Sequence, residues 1–121
     1  MELEELKVYN LAMEMGEEIW QIADKWTIFQ KDTVGKQLVR AMDSVAANLS
    51  EGFGRYHFRE TINFSYYSRG SLFESKTWIQ KAFNRKLISE KQYNGFMENI
   101  EYTGKMLNNY IKSIKKSSTK F

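Results

Sequence analysis

Apolar residues recur three or four positions apart along almost the whole chain, and no proline interrupts them. This spacing places them on one face of an α-helix, whereas a strand requires apolar residues at every second position. The pair Asn94-Gly95, which in other settings favours a hairpin turn, lies inside one of these helical patterns. The sequence therefore predicts an all-α fold.

Four amphipathic segments show this helical spacing, with expected bounds of about 3–26, 33–52, 57–85 and 90–115. A frayed tail is expected at 116–121. Short connections force neighbouring helices to run in opposite directions. A chain of 121 residues has the length of one domain with one core. We therefore expect an antiparallel up-down-up-down four-helix bundle in a single domain spanning 1–121.

Local signals mark several helix ends. Ser89 and Gln92 have the spacing of a capping box, in which each side chain accepts a hydrogen bond from the other residue's backbone N–H. Asp32 or Thr33 is expected to cap the second helix. Gly52 with Gly54 suits a left-handed residue at the end of that helix.

The first and third segments carry wide apolar patterns. In the first, the expected core seam comprises Leu6, Tyr9, Met13, Gly16, Trp20 and Ala23, and Leu11, Met15, Ile19 and Ile22 widen it. The third has two stripes, one of Phe58, Ile62, Leu72, Phe73, Ile79 and Phe83, the other of Phe64, Tyr67, Trp78 and Ala82. Because a helix with two apolar sides needs two partners, the leftover stripe with Tyr67 and Trp78 predicts burial against another subunit.

The charge is unevenly distributed. Residues 1–26 carry seven acidic residues against two lysines, a balance of −5, and residues 27–121 carry sixteen basic against eight acidic residues, a balance of +8. A molecule of this kind can associate head to tail with copies of itself, or it can offer a basic surface to a polyanion such as RNA or DNA.

Several classes of function are disfavoured by what the sequence lacks. There is no cysteine and one histidine, His57, so a zinc site within one chain is not expected. No nucleophile motif or phosphate-binding loop occurs, and we expect no cofactor, no metal and no enzymatic activity. The acidic, amphipathic start is unlike a secretory signal, and no apolar run is long enough to span a bilayer. The expected location is the cytoplasm.

The second helix carries a polar stripe of Arg40, Ser44, Asn48, Glu51 and Arg55 at helical spacing. In one interpretation, Arg40 and Asn48 are buried and satisfy carboxylates such as Asp43, Glu51 or Glu74. In the other, Arg40, Arg55 and Arg59 face a groove and hold phosphates. The candidate nucleic-acid-binding residues are Lys36, Arg40, Arg55, Arg59 and Arg69.

The run from Gln37 to Arg55 resembles the signature of a bacterial four-helix-bundle family encoded in intervening sequences of 23S ribosomal RNA genes. Supporting matches are Leu6–Tyr9 with Ala12, and Arg69–Glu74. The matching signature residues are Arg40, Asn48, Glu51, Gly52, Arg55, Gly70, Ser71 and Glu74. The sequence departs from the family pattern at Trp26-Thr27, at Ser75, and at Arg85-Lys86, where the family usually has Leu-Gly.

The resemblance implies a homo-oligomer, often a five-fold ring, without known enzymatic activity. Relatives of the family include the accessory variability protein of diversity-generating retroelements, a pentamer that binds nucleic acid and a reverse transcriptase. We therefore expect a homo-oligomeric, nucleic-acid-binding accessory protein. The alternative is a scaffold that binds a protein partner and no nucleic acid, and the two differ in salt dependence because phosphate binding weakens steeply with salt.

Overall fold

The computed structural model describes residues 1–118, which contain helices and no strands. The long helices are α1 (Lys7–Ala23), α2 (Lys36–Phe53), α3 (Phe58–Asn84) and α4 (Glu90–Ser118). The all-α prediction is confirmed. The expected fraying is wrong for residues 116–118, which continue α4, and residues 119–121 lie outside the described part.

Each long helix packs against two others, α1 against α2 and α4, and α3 against α2 and α4. Contacts between α2 and α3 run in opposite sequence order. The Ser68 hydroxyl donates to the carbonyl of Val45 (2.7 Å), and the hydroxyl of Thr61, seven residues earlier, donates to Gly52, seven residues later (2.9 Å). This reversal means that α2 and α3 are antiparallel.

The contacts between α3 and α4 show the same reversal. Near the start of α4 the Tyr93 hydroxyl donates to Gln80 (2.6 Å), and near its end Lys115 donates to the hydroxyl of Tyr66 (2.5 Å). One core of buried side chains connects all four helices. Along α2 and the turn before it, the regularly spaced apolar residues Val34, Leu38, Ala41, Val45 and Leu49 are all buried.

The buried stripe of α1 is displaced from the expected seam. Met13 and Trp20 are 43% and 54% exposed, so placing them in the core was wrong. The apolar stripe of α1 is wider than the area that its neighbours cover. The positions of the neighbouring helices therefore decide which edge of the stripe is buried and which stays exposed. The buried residues are Val8, Ala12, Met15, Gly16, Ile19 and Ala23.

The buried stripe of α3 consists mainly of small residues, because α2 approaches closely. Phe58 and Phe73, expected in the core, are 42% and 64% exposed. The hydroxyls of the buried serines are satisfied: Ser65 and Ser75 donate to carbonyls four residues earlier in α3, and Ser68 donates to α2. The full set of buried residues is Ser65, Ser68, Leu72, Ser75, Ile79 and Ala82.

The lead into α2 begins earlier than expected. Thr27 caps a short helical turn, Ile28–Gln30, through a capping box with Gln30 (3.2 and 3.0 Å). A five-residue π-helical stretch, Lys31–Gly35, continues directly into α2. The expected cap at Asp32 or Thr33 is therefore wrong, because both residues already lie inside the helix.

The close approach of α2 and α3 explains Gly52. A Cβ atom on Gly52 would lie 2.8 Å from the Cβ of Phe64 and 3.2 Å from the carbonyl oxygen of Thr61. The left-handed conformation expected at Gly52 or Gly54 is absent, since no described glycine has a positive φ. The residue that adopts it is Lys86 (φ 61°), in the Schellman-type turn that ends α3.

Candidate nucleic-acid interface

The polar stripe of α2 lies on the outer surface of the protein. Arg40 and Glu51 are exposed, and Asn48 is half-buried with its amide donating to the carbonyl of Ser44 (2.9 Å). Among residues 1–118 no acidic side chain pairs with Arg40. The interpretation that Arg40 is buried and satisfies a carboxylate in the bundle is therefore wrong.

Lys36 and Arg40 lie near the start of α2, beside α1. Together with the exposed Trp20 they line a shallow hollow of about 320 Å³. Asp24 lies on the same hollow and pairs with Lys31 (3.7 Å). This end of the protein therefore has two exposed cations next to a partly exposed aromatic ring.

Arg55 lies just beyond the opposite end of α2, whose last residue, Phe53, is about 20 Å from Arg40 at the rise of an α-helix. Its guanidinium pairs with Glu51 (2.5 Å) and lies 5.0 Å from the centre of the Phe64 ring. The charge of Arg55 is thus partly matched by the carboxylate of Glu51 in the last turn of α2. The five candidate cations do not form one continuous stripe.

The most elaborate arrangement around a candidate cation is found at Arg69, between α3 and α4. The guanidinium carbon lies 4.8 Å from the centre of the Tyr66 ring, and Nη1 donates to the side chain of Asn108 (3.0 Å). Lys115 donates to the Tyr66 hydroxyl, so its ammonium lies at the polar end of the ring rather than over its face. Two cations from different helices therefore meet at one tyrosine.

Further cations surround this tyrosine. Arg59 is exposed and lies two turns before Tyr66, on the same side of α3. In α4, Lys105, Lys112 and Lys115 follow at spacings of seven and three residues, which places them on one side of the helix. We call this surface the basic face; it comprises Arg59, Arg69, Lys76, Lys105, Lys112 and Lys115.

The basic face joins only two of the five candidate residues, Arg59 and Arg69. Tyr66, Lys112 and Lys115 were not among the candidates, although the three-residue spacing of Tyr66 and Arg69 indicated that they could meet. The contribution of α4 could not be read from the sequence, because it depends on which side of α4 packs against α3. Two acidic residues, Glu98 and Glu101, line the same groove, and Glu101 pairs with Lys105 (3.8 Å).

The signature residues of α3 are exposed or half-buried. Glu74 accepts a hydrogen bond from the Trp78 indole (3.0 Å), and Tyr67 is 58% exposed. A Cβ atom on Gly70 would have no neighbour within 4 Å, so nothing within the described chain requires glycine there. We call this surface of α3 the signature face; it comprises Tyr67, Gly70, Ser71 and Glu74.

A carboxyl group with a shifted pKa lies elsewhere, where α1 crosses α2. Partial burial, and secondly the negative charge of Glu17, raises the pKa of Asp43. The crossing is close, because a Cβ atom on Gly16 would lie 2.9 Å from a carboxylate oxygen of Asp43. Burial also raises the pKa of Tyr110 in α4.

Metal-binding clusters and membrane-spanning helices are both absent from residues 1–118. This range contains no group of three or more histidine, aspartate or glutamate side chains able to hold a metal ion. None of its helices has the length and apolar character needed to cross a membrane.

The fold and its surface define a small helical bundle whose distinctive polar residues face outward. Residues 4–109 match the 23S rRNA-intervening sequence protein family, and the chain belongs to this family. A crystal structure of a Bacteroides thetaiotaomicron protein of unknown function, from the S23 ribosomal protein family, has the same fold. The TM-score is 0.80 at 22% identity over 87% of this chain and 95% of that one. No curated protein matches the sequence significantly.

Proposed function

We propose that this protein is a non-enzymatic, homo-oligomeric accessory protein of the cytoplasm that binds RNA or DNA through its basic face. The observation that supports this most directly is the cluster of Arg69 and Lys115 at Tyr66. Cations from two helices next to an aromatic ring match the chemistry of a nucleic acid, which offers phosphates and flat bases.

Assembly into an oligomer supplies the affinity that one chain lacks. The net charge is only +3, so a single basic face makes few phosphate contacts. An oligomer repeats the face around its axis, and linked weak sites bind one long polyanion far more tightly than any of them alone. A ring of five subunits, as the family resemblance implies, would present five such faces.

The signature face is the proposed contact between subunits. Gly70 lies on an exposed part of α3 where, among residues 1–118, nothing beyond its own helical turns comes within 4 Å of the missing side chain. A glycine inside a helix costs about 1 kcal/mol relative to alanine, so a contact with another chain gives it a reason to be there. Tyr67, half exposed beside it, supplies apolar area for the same contact.

A salt-dependent titration tests the nucleic-acid proposal. Fluorescence anisotropy with a labelled structured RNA and a labelled DNA duplex should give affinities that fall steeply between about 50 and 200 mM salt. The double variant Arg69→Glu with Lys115→Glu should weaken binding at least about tenfold. It should also flatten the logarithmic salt slope by about 2, because each of the two cations would neutralise one phosphate in the parent protein.

A matched control reverses two charges elsewhere. Lys36→Glu with Arg40→Glu changes the net charge by the same amount on the α1 side of α2, so it should retain most of the binding. Helicity and oligomeric mass are measured for every variant. If both double variants lose binding equally, general charge and not the basic face is responsible, and if the parent protein binds nothing at low salt the proposal is wrong.

The second proposed function, a scaffold for a protein partner, is favoured by a different observation. Ile28 and Phe29, in the turn before α2, are 79% and 77% exposed. Adjacent exposed apolar side chains are typical of a protein contact and contribute nothing to phosphate binding. This function is supported if the protein binds no nucleic acid at low salt and if Phe29→Ser abolishes retention of one defined protein partner.

A further inference from the structure

A groove of about 590 Å³ continues from the Tyr66 cluster along the boundary between α3 and α4. Its floor includes the buried side chains of Leu72 and Ile100. At Gly104 the α4 wall has no side chain, and a Cβ atom there would only touch Leu72 at 3.7 Å. The groove therefore has a notch with an apolar floor at Gly104.

An aromatic ring lines the same groove. Phe73 is 64% exposed, although α3 buries three serines and an alanine among its core residues. The ring is not part of the packed core. A phenylalanine ring left exposed beside an apolar notch offers a surface on which a flat, apolar-faced group can stack.

Charged residues flank the notch on both walls: three cations and, on the α4 wall, the carboxylates Glu98 and Glu101, of which Glu101 pairs with Lys105 (3.8 Å). Arg69 and Lys76 lie on the α3 wall and Lys105 on the α4 wall, while Asn108 adds a side-chain amide that can hydrogen-bond to a polar edge. The cations outnumber the carboxylates by one, so a ligand that fits this groove has a few negative charges and a flat group with a hydrogen-bonding edge. Single-stranded nucleic acid has both.

We infer that the groove binds single-stranded nucleic acid, with one unstacked base in the Gly104 notch against Phe73 and the neighbouring phosphates near Arg69, Lys76 and Lys105. This inference rests on the proposed nucleic-acid binding and specifies its ligand. In a duplex the bases are paired and stacked, so none of them is available to contact the Phe73 ring or to enter the Gly104 notch. A single strand can turn a base outward.

The test compares strands that share phosphates and differ in bases. Anisotropy titrations use oligo(U) and oligo(A) of about 12 nucleotides, an abasic strand of the same length, and a duplex. The parent protein should bind both natural strands about tenfold more tightly than the abasic strand, because stacking of a base on an aromatic ring contributes a factor of that size. Phe73→Ala and Gly104→Leu should each reduce this ratio to about twofold or less.

The affinity of either variant for the abasic strand should stay unchanged, since no cation is altered. Gly95→Leu makes the same substitution in α4 where, within the described chain, nothing beyond the adjacent turns of α4 lies within 4 Å of the missing side chain, and it should keep the tenfold ratio. Equal binding of natural and abasic strands by the parent overturns this inference and leaves the proposed function standing. If no strand or duplex binds at low salt, both are overturned.

Discussion

At the scale of single residues, distances between helices decide which side chains are tolerated. Gly52 has no room for a side chain because α3 lies against it, whereas Gly70 faces open space in the same bundle. Lys86 adopts a left-handed conformation that glycine tolerates better. The two glycines, Gly52 and Gly70, therefore have different roles, and only the distance to the neighbouring helix distinguishes them.

Gly52→Ala should destabilise the protein by about 1–3 kcal/mol, the usual cost of overpacking a close helix contact. The new methyl group would lie 2.8 Å from the Cβ of Phe64, which is part of a helix and cannot easily move. Chemical denaturation measures the change. Gly54→Ala is the control: its nearest neighbours are 3.7 Å away and its φ is −78°, so stability should stay equal or rise slightly.

Asp43→Asn should stabilise the protein at neutral pH by about 0.5 kcal/mol, the size of a surface charge interaction. The pKa of Asp43 in the folded state is raised above the ordinary value of 3.8, so the fold disfavours its charged form. The charged carboxylate therefore lowers the free energy of unfolding at pH values above the folded-state pKa. This destabilisation disappears as the pH falls towards 3.8. The advantage of asparagine should shrink over the same range in denaturation measured against pH.

A matched variant removes a carboxylate in a different setting. Asp24 is 65% exposed and lies 3.7 Å from Lys31, so Asp24→Asn should give no stabilisation at neutral pH. If Asp24→Asn stabilises the protein as much as Asp43→Asn does, the effect comes from the overall charge of the acidic α1 region and not from the position of Asp43.

At the scale of helices, two capping boxes set where structure begins. Ser89 and Gln92 bond reciprocally at the start of α4 (3.1 and 2.8 Å), as their spacing predicted. Thr27 and Gln30 do the same before the π-helical stretch that leads into α2. The second box has the same sequence pattern as the first, a hydroxyl residue followed by glutamine three positions later, so the same rule could have located it.

Ser89→Ala should cost about 1 kcal/mol of unfolding free energy, because the N–H of Gln92 loses its acceptor. Ser113→Ala is the matched control within the same helix. The Ser113 hydroxyl only donates to the carbonyl of Tyr110, so its loss should change stability by less than about 0.5 kcal/mol. Equal effects of the two substitutions in thermal and chemical denaturation would show that the cap contributes nothing.

At the scale of the whole molecule, α3 separates two surfaces. The signature face lies towards α2, and the basic face lies towards α4. The predicted apolar stripe with Tyr67 and Trp78 borders the signature face, where Tyr67 is 58% exposed. One helix can thus serve assembly on one side and polyanion binding on the other, so the two proposed roles do not compete for the same residues.

Tyr67→Glu should dissociate the oligomer, because a buried subunit contact cannot accommodate an unpaired carboxylate. Sedimentation at micromolar concentration should show a smaller mass for this variant than for the parent protein. Tyr56→Glu is the control, since Tyr56 is 92% exposed in the turn between α2 and α3, outside the signature face. A parent protein that is a stable monomer at this concentration would contradict the predicted assembly.

The sequence by itself determined the features that depend on neighbours along the chain. Helix type, the approximate bounds, the core side of α2 and the Ser89 cap all follow from residues within one or two turns of each other. The tertiary structure decided the rest. A period of 3.6 residues gives the angular position of each side chain, but it does not say how closely the next helix approaches or which edge of an apolar stripe it covers.

Two residues illustrate this difference. Phe73 has the spacing of a core residue, yet it lines the groove between α3 and α4 and is 64% exposed, whereas Leu72 beside it is buried. Arg40 lies among small residues typical of a buried helix, yet it faces solvent, because α1 and α3 pack on the other sides of α2. The meeting of Arg69 and Lys115 at Tyr66 likewise joins residues up to 49 positions apart, and only helix packing brings them together.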